Sequence, residues 1–372
     1  MKIELRGVNP LNKGAELMLV SLKQILEKDK KYQLCLGVGP GNSDEYCINN
    51  NLKKLSIIQK KFFQLFYSSP DSLKLNPYEL DVILDASGFA YGDQWGVQES
   101  FVLYRYLNKL RAKNKELKVI LMPQALGKFD KPLVRFMTRK AFNKVDLIFA
   151  RDSQSYSYLQ DLNLQNTTVK KSPDFTNIVE VPSNYTHNVP GDICFVPNSK
   201  MIQKGGVKDE SSYLNFMKDT LAAFIHNNNR PFILVHDKGP DLKLAKQLQE
   251  EFLISRSIDI PLIVEDNPLA IKYIIGKSNV LVGSRFHSLV SALSQNIPVI
   301  ATGWSHKYNE LLLDYGVRDY LVDLNSDYDA VEIVNRLINN KEKIAEEISK
   351  FSPIEKEKTI LMWKDVIEMI EG

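Results

Sequence analysis

The chain has 372 residues, 44% hydrophobic and 25% charged, with a net charge of +3; that length suits two cores better than one, the composition is that of ordinary globular protein, and so small a charge gives no ground for a nucleic-acid partner. Cys35, Cys47 and Cys194 are odd in number, widely spaced and outside any CxxC or Cys/His metal pattern, which excludes a disulfide framework and fits a reducing compartment. No apolar run reaches the roughly 18 residues of a spanning helix, and the opening MKIELRGVNP reads as a strand rather than a secretory leader, so a cytoplasmic location is expected.

In the amino-terminal half, apolar runs of strand length at residues 2–8, 32–38, 82–85, 119–123 and 147–150 alternate with helical periodicity at 15–27, 97–113 and 132–143. The loop Gly37-Val38-Gly39-Pro40-Gly41 lacks the G-x-G-x-x-G spacing and is interrupted by Pro40, which rejects a bound nicotinamide or flavin dinucleotide. Residues 53–67, KKLSIIQKKFFQLFY, are basic and aromatic-rich: either a buried helix with an outer lysine face or a segment that dips into lipid headgroups. Residues 105–144 hold twelve Lys and Arg against Glu116 and Asp130. Such a run is either a solvated face or a basic surface for an anionic membrane or a pyrophosphate-linked acceptor. The stretch 179–191, VEVPSNYTHNVPG, is rich in turn-forming residues and marks a boundary. Beyond it, strands at 193–197, 232–236, 262–264, 280–283, 299–301 and 320–322 alternate with helices at 211–227, 242–252, 270–276 and 328–339, and a last helical segment covers 355–371. This alternation predicts the α/β class: two Rossmann-like domains facing a cleft, at 1–182 and 190–350, with 351–372 packing back on the first.

The most informative stretch is 280–312, VLVGSRFHSLVSALSQNIPVIATGWSHKYNELL. It predicts two βα junctions that place Ser284, Arg285, His287, Ser288, His306 and Lys307 at the carboxyl ends of parallel strands, where α/β sheets bind ligands. Cations beside helix N-termini make an anion site. Arg285 suits phosphate or carboxylate bidentately; its bland alternative is a structural pair with an acid such as Asp266. His287 serves as general acid, as phosphate ligand or merely as a capping residue. His306 and Lys307 are a proton carrier and a point charge, or a surface pair on an ordinary turn. Lys200, His236 and Asp237 follow the first two strands of the second half.

Several phrases together resemble the polysaccharide pyruvyl transferase family: Asn9 to Met18 (NPLNKGAELM), Asp85-Ala86-Ser87-Gly88-Phe89 with Asp93, Met122-Pro123-Gln124-Ala125-Leu126-Gly127, Ala150-Arg151-Asp152 with Ser155, Pro173-Asp174-Phe175, Gly283-Ser284-Arg285-Phe286-His287 and Gly303-Trp304-Ser305-His306-Lys307-Tyr308. Each is weak alone, and their order over residues 1–315 makes the set specific. One departure stands out: many relatives carry Asp in the first loop, where this chain has Gly14-Ala15-Glu16.

The resemblance implies a GT-B-like fold and transfer of pyruvate from phosphoenolpyruvate onto two hydroxyls of a sugar as a ketal. The implied acceptor is a surface-polysaccharide precursor, often linked to a lipid such as undecaprenyl diphosphate, with peripheral contact at the inner membrane face. The scheme requires no metal or organic cofactor. It needs an acid that protonates carbon, a base for the hydroxyl and cations for the departing phosphate. His287, His306 and Asp93 are the candidate catalytic residues, and acid and base are not apportioned between the histidines. Arg285, Lys307, Lys200, Ser284 and Ser288 are candidates on the phosphoenolpyruvate side. Asn9, Asn12, Gly14, Glu16, Gly88, Tyr91 and Gln124 are candidates on the acceptor side, with Tyr91 and Trp95 stacking on a sugar face. Arg151 and Asp152 read better as an internal ion pair at the cap of a helix. Two rivals stay open: a nucleotide-sugar glycosyltransferase on the same scaffold, and a non-catalytic glycan-binding protein.

Overall fold

The computed structural model describes all residues except Val38, Pro40, 57–68 and Lys208. The chain forms two compact units: Met1–Leu11, Met18–Phe175 and Lys358–Gly372 make the first, and Asn12–Leu17 with Thr176–Glu357 make the second.

The first unit is built in chain order from β1 (Lys2–Arg6), α1 (Lys13–Leu26), β2 (Gln33–Leu36), α2 (Asp44–Asn49), β3 (Lys53–Leu55), β4 (Lys74–Leu75), β5 (Val82–Asp85), α3 (Gln98–Arg111), β6 (Lys118–Gln124), α4 (Pro132–Phe142), β7 (Leu147–Ala150), α5 (Ser153–Gln160) and β8 (Thr168–Lys171). All strands run parallel in the order β4-β3-β2-β1-β5-β6-β7-β8. The central strands VILD, KVILMPQ and LIFA are almost wholly buried, because a parallel sheet covered on both faces needs near-continuous apolar runs. The edges are polar: β8, TVKK, is largely exposed. Residues 53–67 were open between a buried helix and a lipid-dipping segment. Their first three form β3, with Lys54 paired to Lys74, and 57–67 lie outside the described residues, as do Val38 and Pro40 of the glycine-rich loop.

The second unit continues with β9 (Ile193–Val196), α6 (Lys200–Gln203), α7 (Glu210–His226), β10 (Pro231–Val235), α8 (Pro240–Arg256), β11 (Leu262–Val264), α9 (Pro268–Gly276), β12 (Val280–Gly283), α10 (Phe286–Leu293), β13 (Val299–Thr302), α11 (His306–Asp314), β14 (Leu321–Val322), α12 (Ala330–Asn339) and α13 (Lys341–Glu371). Its parallel sheet has the order β11-β10-β9-β12-β13-β14. Winding reverses between β9 and β12, which makes their carboxyl ends the topological switch point. Helix α13 runs through Pro353 and starts fourteen residues before the expected 355. Its last part belongs to the first unit, where Trp363 packs edge-on against Phe175 and Glu371 pairs with Lys31. Among the described residues no helix is long and apolar enough to cross a membrane.

Candidate functional site

The loops after β9, β10, β12 and β13 meet through one buried network at the switch point. The Asn198 side chain donates to the Ser284 carbonyl at 2.6 Å, and the Tyr308 hydroxyl donates to the same oxygen at 2.9 Å. The Ser284 hydroxyl lies 2.8 Å from the Tyr213 hydroxyl and 2.6 Å from that of Thr302. The Ser288 hydroxyl donates to the Arg285 carbonyl at 2.6 Å. Both serines are buried. Both were expected as substrate ligands; in the structure each hydroxyl is hydrogen-bonded within the protein, and that of Ser288 holds the Arg285 backbone.

Arg285 is the N-cap residue of α10 and is buried. Its Nε donates to Asp241 Oδ2 at 2.5 Å and its NH2 to Asp237 Oδ2 at 3.3 Å. The acid weighed from the sequence, Asp266, pairs with Lys238 instead. Asp241 is fully buried in the first turn of α8 and also accepts the Ser199 N–H at 2.9 Å. Burial works to lower the Arg285 pKa, and Asp241 with Asp237 more than offsets it, so the pKa is raised. The guanidinium is thus a fixed cation, aimed by two carboxylates.

A segment from near the amino terminus completes the site. Asn12–Leu17 belongs to the second unit, and Asn12 forms an antiparallel bridge with Asp237. The Asn12 side chain accepts the N–H groups of Gly14 and Ala15 and so caps α1. Lys13 and Glu16, both buried, pair at 2.6 Å. A Cβ on Gly14 would lie 2.3 Å from His287 Nδ1. Gly14 and Asn12, expected to line the acceptor side, therefore act as clearance for His287 and as a helix cap; Glu16 is the partner of Lys13. His236, at the end of β10, is buried and its Nδ1 has no hydrogen-bond partner among the described residues. Burial first, then the charges of Arg285, His287 and Lys13, holds its pKa well below the usual imidazole value, so it is neutral. Lys13 and Asp241 escaped the sequence reading. Nothing local marks Asp241, and Lys13 lies between the named Asn12 and Gly14 with no motif of its own.

Two of the other expected cations have partners of their own. Lys307 Nζ lies 4.6, 5.4 and 5.3 Å from the ring centroids of Trp304, Phe286 and Tyr308, a cation–π cage that buries it. Lys200 Nζ bonds to Gln203 on its own short helix. His306 opens α11, half-buried.

In the first unit, most expected acceptor residues serve the fold. Tyr91 is core: its hydroxyl donates to Asp85 at 2.9 Å and its ring packs on Phe142, so it is not free to stack on a sugar. The half-buried Trp95 meets Phe89 edge-on. The Asp93 carboxylate accepts the Asp130 N–H at 2.8 Å and the Lys131 N–H at 3.2 Å, which braces the entry to α4. Asn9 accepts the Leu11 N–H. Gly88 takes φ of +70°, and its carbonyl accepts the Ala125 N–H. Gln124 is buried, its Oε1 without a partner among the described residues. Arg151 pairs with Asp174 at 3.0 Å, and Asp152 caps α5 by accepting the Ser155 N–H.

The family model described as polysaccharide pyruvyl transferase matches residues 12–306. No curated protein matches the chain. Among solved structures, UDP-GlcNAc 2-epimerase from Neisseria meningitidis bound to UDP-GlcNAc is 11% identical, with a TM-score of 0.61 over 99% of this chain and 100% of that one. Anabaena Alr3699/HepE in complex with UDP-glucose is 14% identical, with a TM-score of 0.59 over 100% and 99%. S. aureus MnaA with UDP is 14% identical, with a TM-score of 0.58 over 100% and 98%. At these identities the likeness is one of fold, the two-domain arrangement of GT-B glycosyltransferases and epimerases.

Proposed function

The chain belongs to the polysaccharide pyruvyl transferase family, and on that premise we propose that it moves pyruvate from phosphoenolpyruvate to a sugar of a surface-polysaccharide precursor, at the cytoplasmic face of the membrane and on a lipid-linked acceptor. The observation that carries this reading is the convergence of Arg285, His287, His236 and the Asn12–Leu17 segment at one switch point. Phosphoenolpyruvate is a small enol phosphate that also carries a carboxylate, and recognising it requires fixed donors. Arg285, held by Asp241 and Asp237, offers its remaining N–H groups together with the start of α10. His287 protonates the methylene carbon, which leaves positive charge on the adjacent carbon. An acceptor hydroxyl attacks that carbon and gives its proton to a base, for which His306 is the candidate. The C–O bond to phosphate breaks, phosphate leaves, and the second hydroxyl closes the ketal and releases its proton. One hydroxyl proton replaces the proton taken from His287, and the other departs with phosphate, so the transfer balances. Neutral His236 adds a hydrogen-bonding group without a competing charge.

The test is incubation with phosphoenolpyruvate and a panel of lipid-linked galactosides and mannosides, read by mass spectrometry and phosphate release. A pyruvyl mass gain with matching phosphate supports the reading. Release of nucleotide from a sugar donor, with phosphoenolpyruvate untouched, supports the glycosyltransferase rival instead.

A further inference from the structure

We propose that the outer face of α3 and α4 in the first unit is a docking surface for an anionic lipid bilayer. Strands β5, β6 and β7 are consecutive parallel neighbours, and right-handed crossovers put the helices between them on one side of the sheet. The buried Ser100 and Thr138 hydroxyls, 2.7 Å apart, tie α3 to α4 along their inner seam. The opposite faces carry large apolar side chains to solvent: Phe101 is 44% exposed, Val102 43%, Leu133 61% and Phe136 53%. Each helix sets a cation over its exposed ring, Arg105 at 5.6 Å from the Phe101 centroid and Lys140 at 4.5 Å from that of Phe136. Neither cation has an acidic partner among the described residues, α4 contains no acid, and α3 contains only Glu99.

Apolar side chains rimmed by cations on a helix face match the interfacial zone of a membrane: rings sink to the acyl boundary and cations reach the phosphates. A second copy of the chain would bring two basic faces together, which like-charge repulsion opposes. Charge complementarity therefore selects an anionic partner, and the row of aromatic and aliphatic side chains selects lipid. The inference deepens the proposed function, because a lipid-linked acceptor lies in that same layer, but its test needs neither donor nor acceptor and so can fail separately.

The full chain is mixed with vesicles of phosphatidylcholine alone or with added phosphatidylglycerol, and bound protein is measured by sedimentation. Binding is expected only with phosphatidylglycerol, weakening as salt rises. Phe101→Ser with Phe136→Ser, or Arg105→Glu with Lys140→Glu, is expected to reduce partitioning by at least about tenfold with unchanged thermal melting, because each altered side chain is exposed. No binding to anionic vesicles overturns the inference, as does binding that both double variants retain. A dimer that either double variant converts to monomer, without vesicle binding, would assign the face to a second copy and also overturn it.

Discussion

Arg285 and His287 sit two residues apart, yet their substitutions should behave differently. Removing the guanidinium leaves fully buried Asp241 without its countercharge, and breaking a buried pair costs about 3–5 kcal/mol. Arg285→Ala should therefore lower both turnover and thermal stability. His287 is half-buried, so His287→Ala should reduce turnover at least about tenfold, roughly 1.4 kcal/mol of transition-state stabilisation, with melting unchanged. Wild-type turnover from His287→Ala would remove it from the chemistry. His236 supplies a pH signature. Its folded pKa is depressed, so below about pH 6.5 the unfolded chain binds a proton there that the folded chain does not. The stability from this group is present above that pH and drains as pH falls toward the folded value, by up to about 1.4 kcal/mol per pH unit. Wild type should lose more stability than His236→Gln between pH 7.5 and 5.5 in urea titrations; equal losses would contradict the burial of a neutral imidazole. At this scale the Arg285/His287 spacing was legible because both lie on one βα junction. Their partners were not, because Asp241 comes from another strand's loop and Gly14 from the amino-terminal helix.

Among the elements, α1 and α13 have the least local reasons to exist where they do. Gly14 lies in the first turn of α1, where Ala would be favoured by up to about 1 kcal/mol, yet its Cβ would collide with the His287 ring. Gly14→Ala should thus lower the melting temperature or at best leave it unchanged, since overpacking costs about 1–3 kcal/mol, while cutting turnover to the level of His287→Ala. Unchanged turnover would show that the ring tolerates displacement. The end of α13 buries Trp363, Val366 and Ile370, each worth about 1.5–3 kcal/mol. Together they approach the whole stability of a domain, about 5–15 kcal/mol. Ending the chain at Glu357 should abolish a cooperative melt of the first unit by circular dichroism; wild-type melting would refute that dependence. Central strands could be read from sequence because burial on both faces forces unbroken apolar runs. The short edge strands KL and TVKK could not, because edge positions tolerate lysines, and KKL, one strand in from the edge, is only three residues long with two lysines. The early start of α13 was masked by Pro353, which normally signals a helix boundary.

For the whole molecule, the regular alternation of strand and helix carried the α/β class and both parallel sheets, and the ordered motifs carried the family. Charge was the poorer guide. The cations near 285–307 suggested an anion site but not their partners: the fold pairs Arg285 with two acids and encloses Lys307 in aromatic rings. In the proposed reaction, selectivity for the enol phosphate rests on aimed donors and on His287 rather than on bulk potential. Whether carbon is protonated during transfer is decided by running the reaction in deuterium oxide with phosphoenolpyruvate and a lipid-linked sugar. One phosphate should be released per ketal and one deuterium should enter each new pyruvyl methyl group, both lost in His287→Ala. Product lacking deuterium, or a sugar transferred from a nucleotide donor with phosphoenolpyruvate intact, would contradict the proposed transfer.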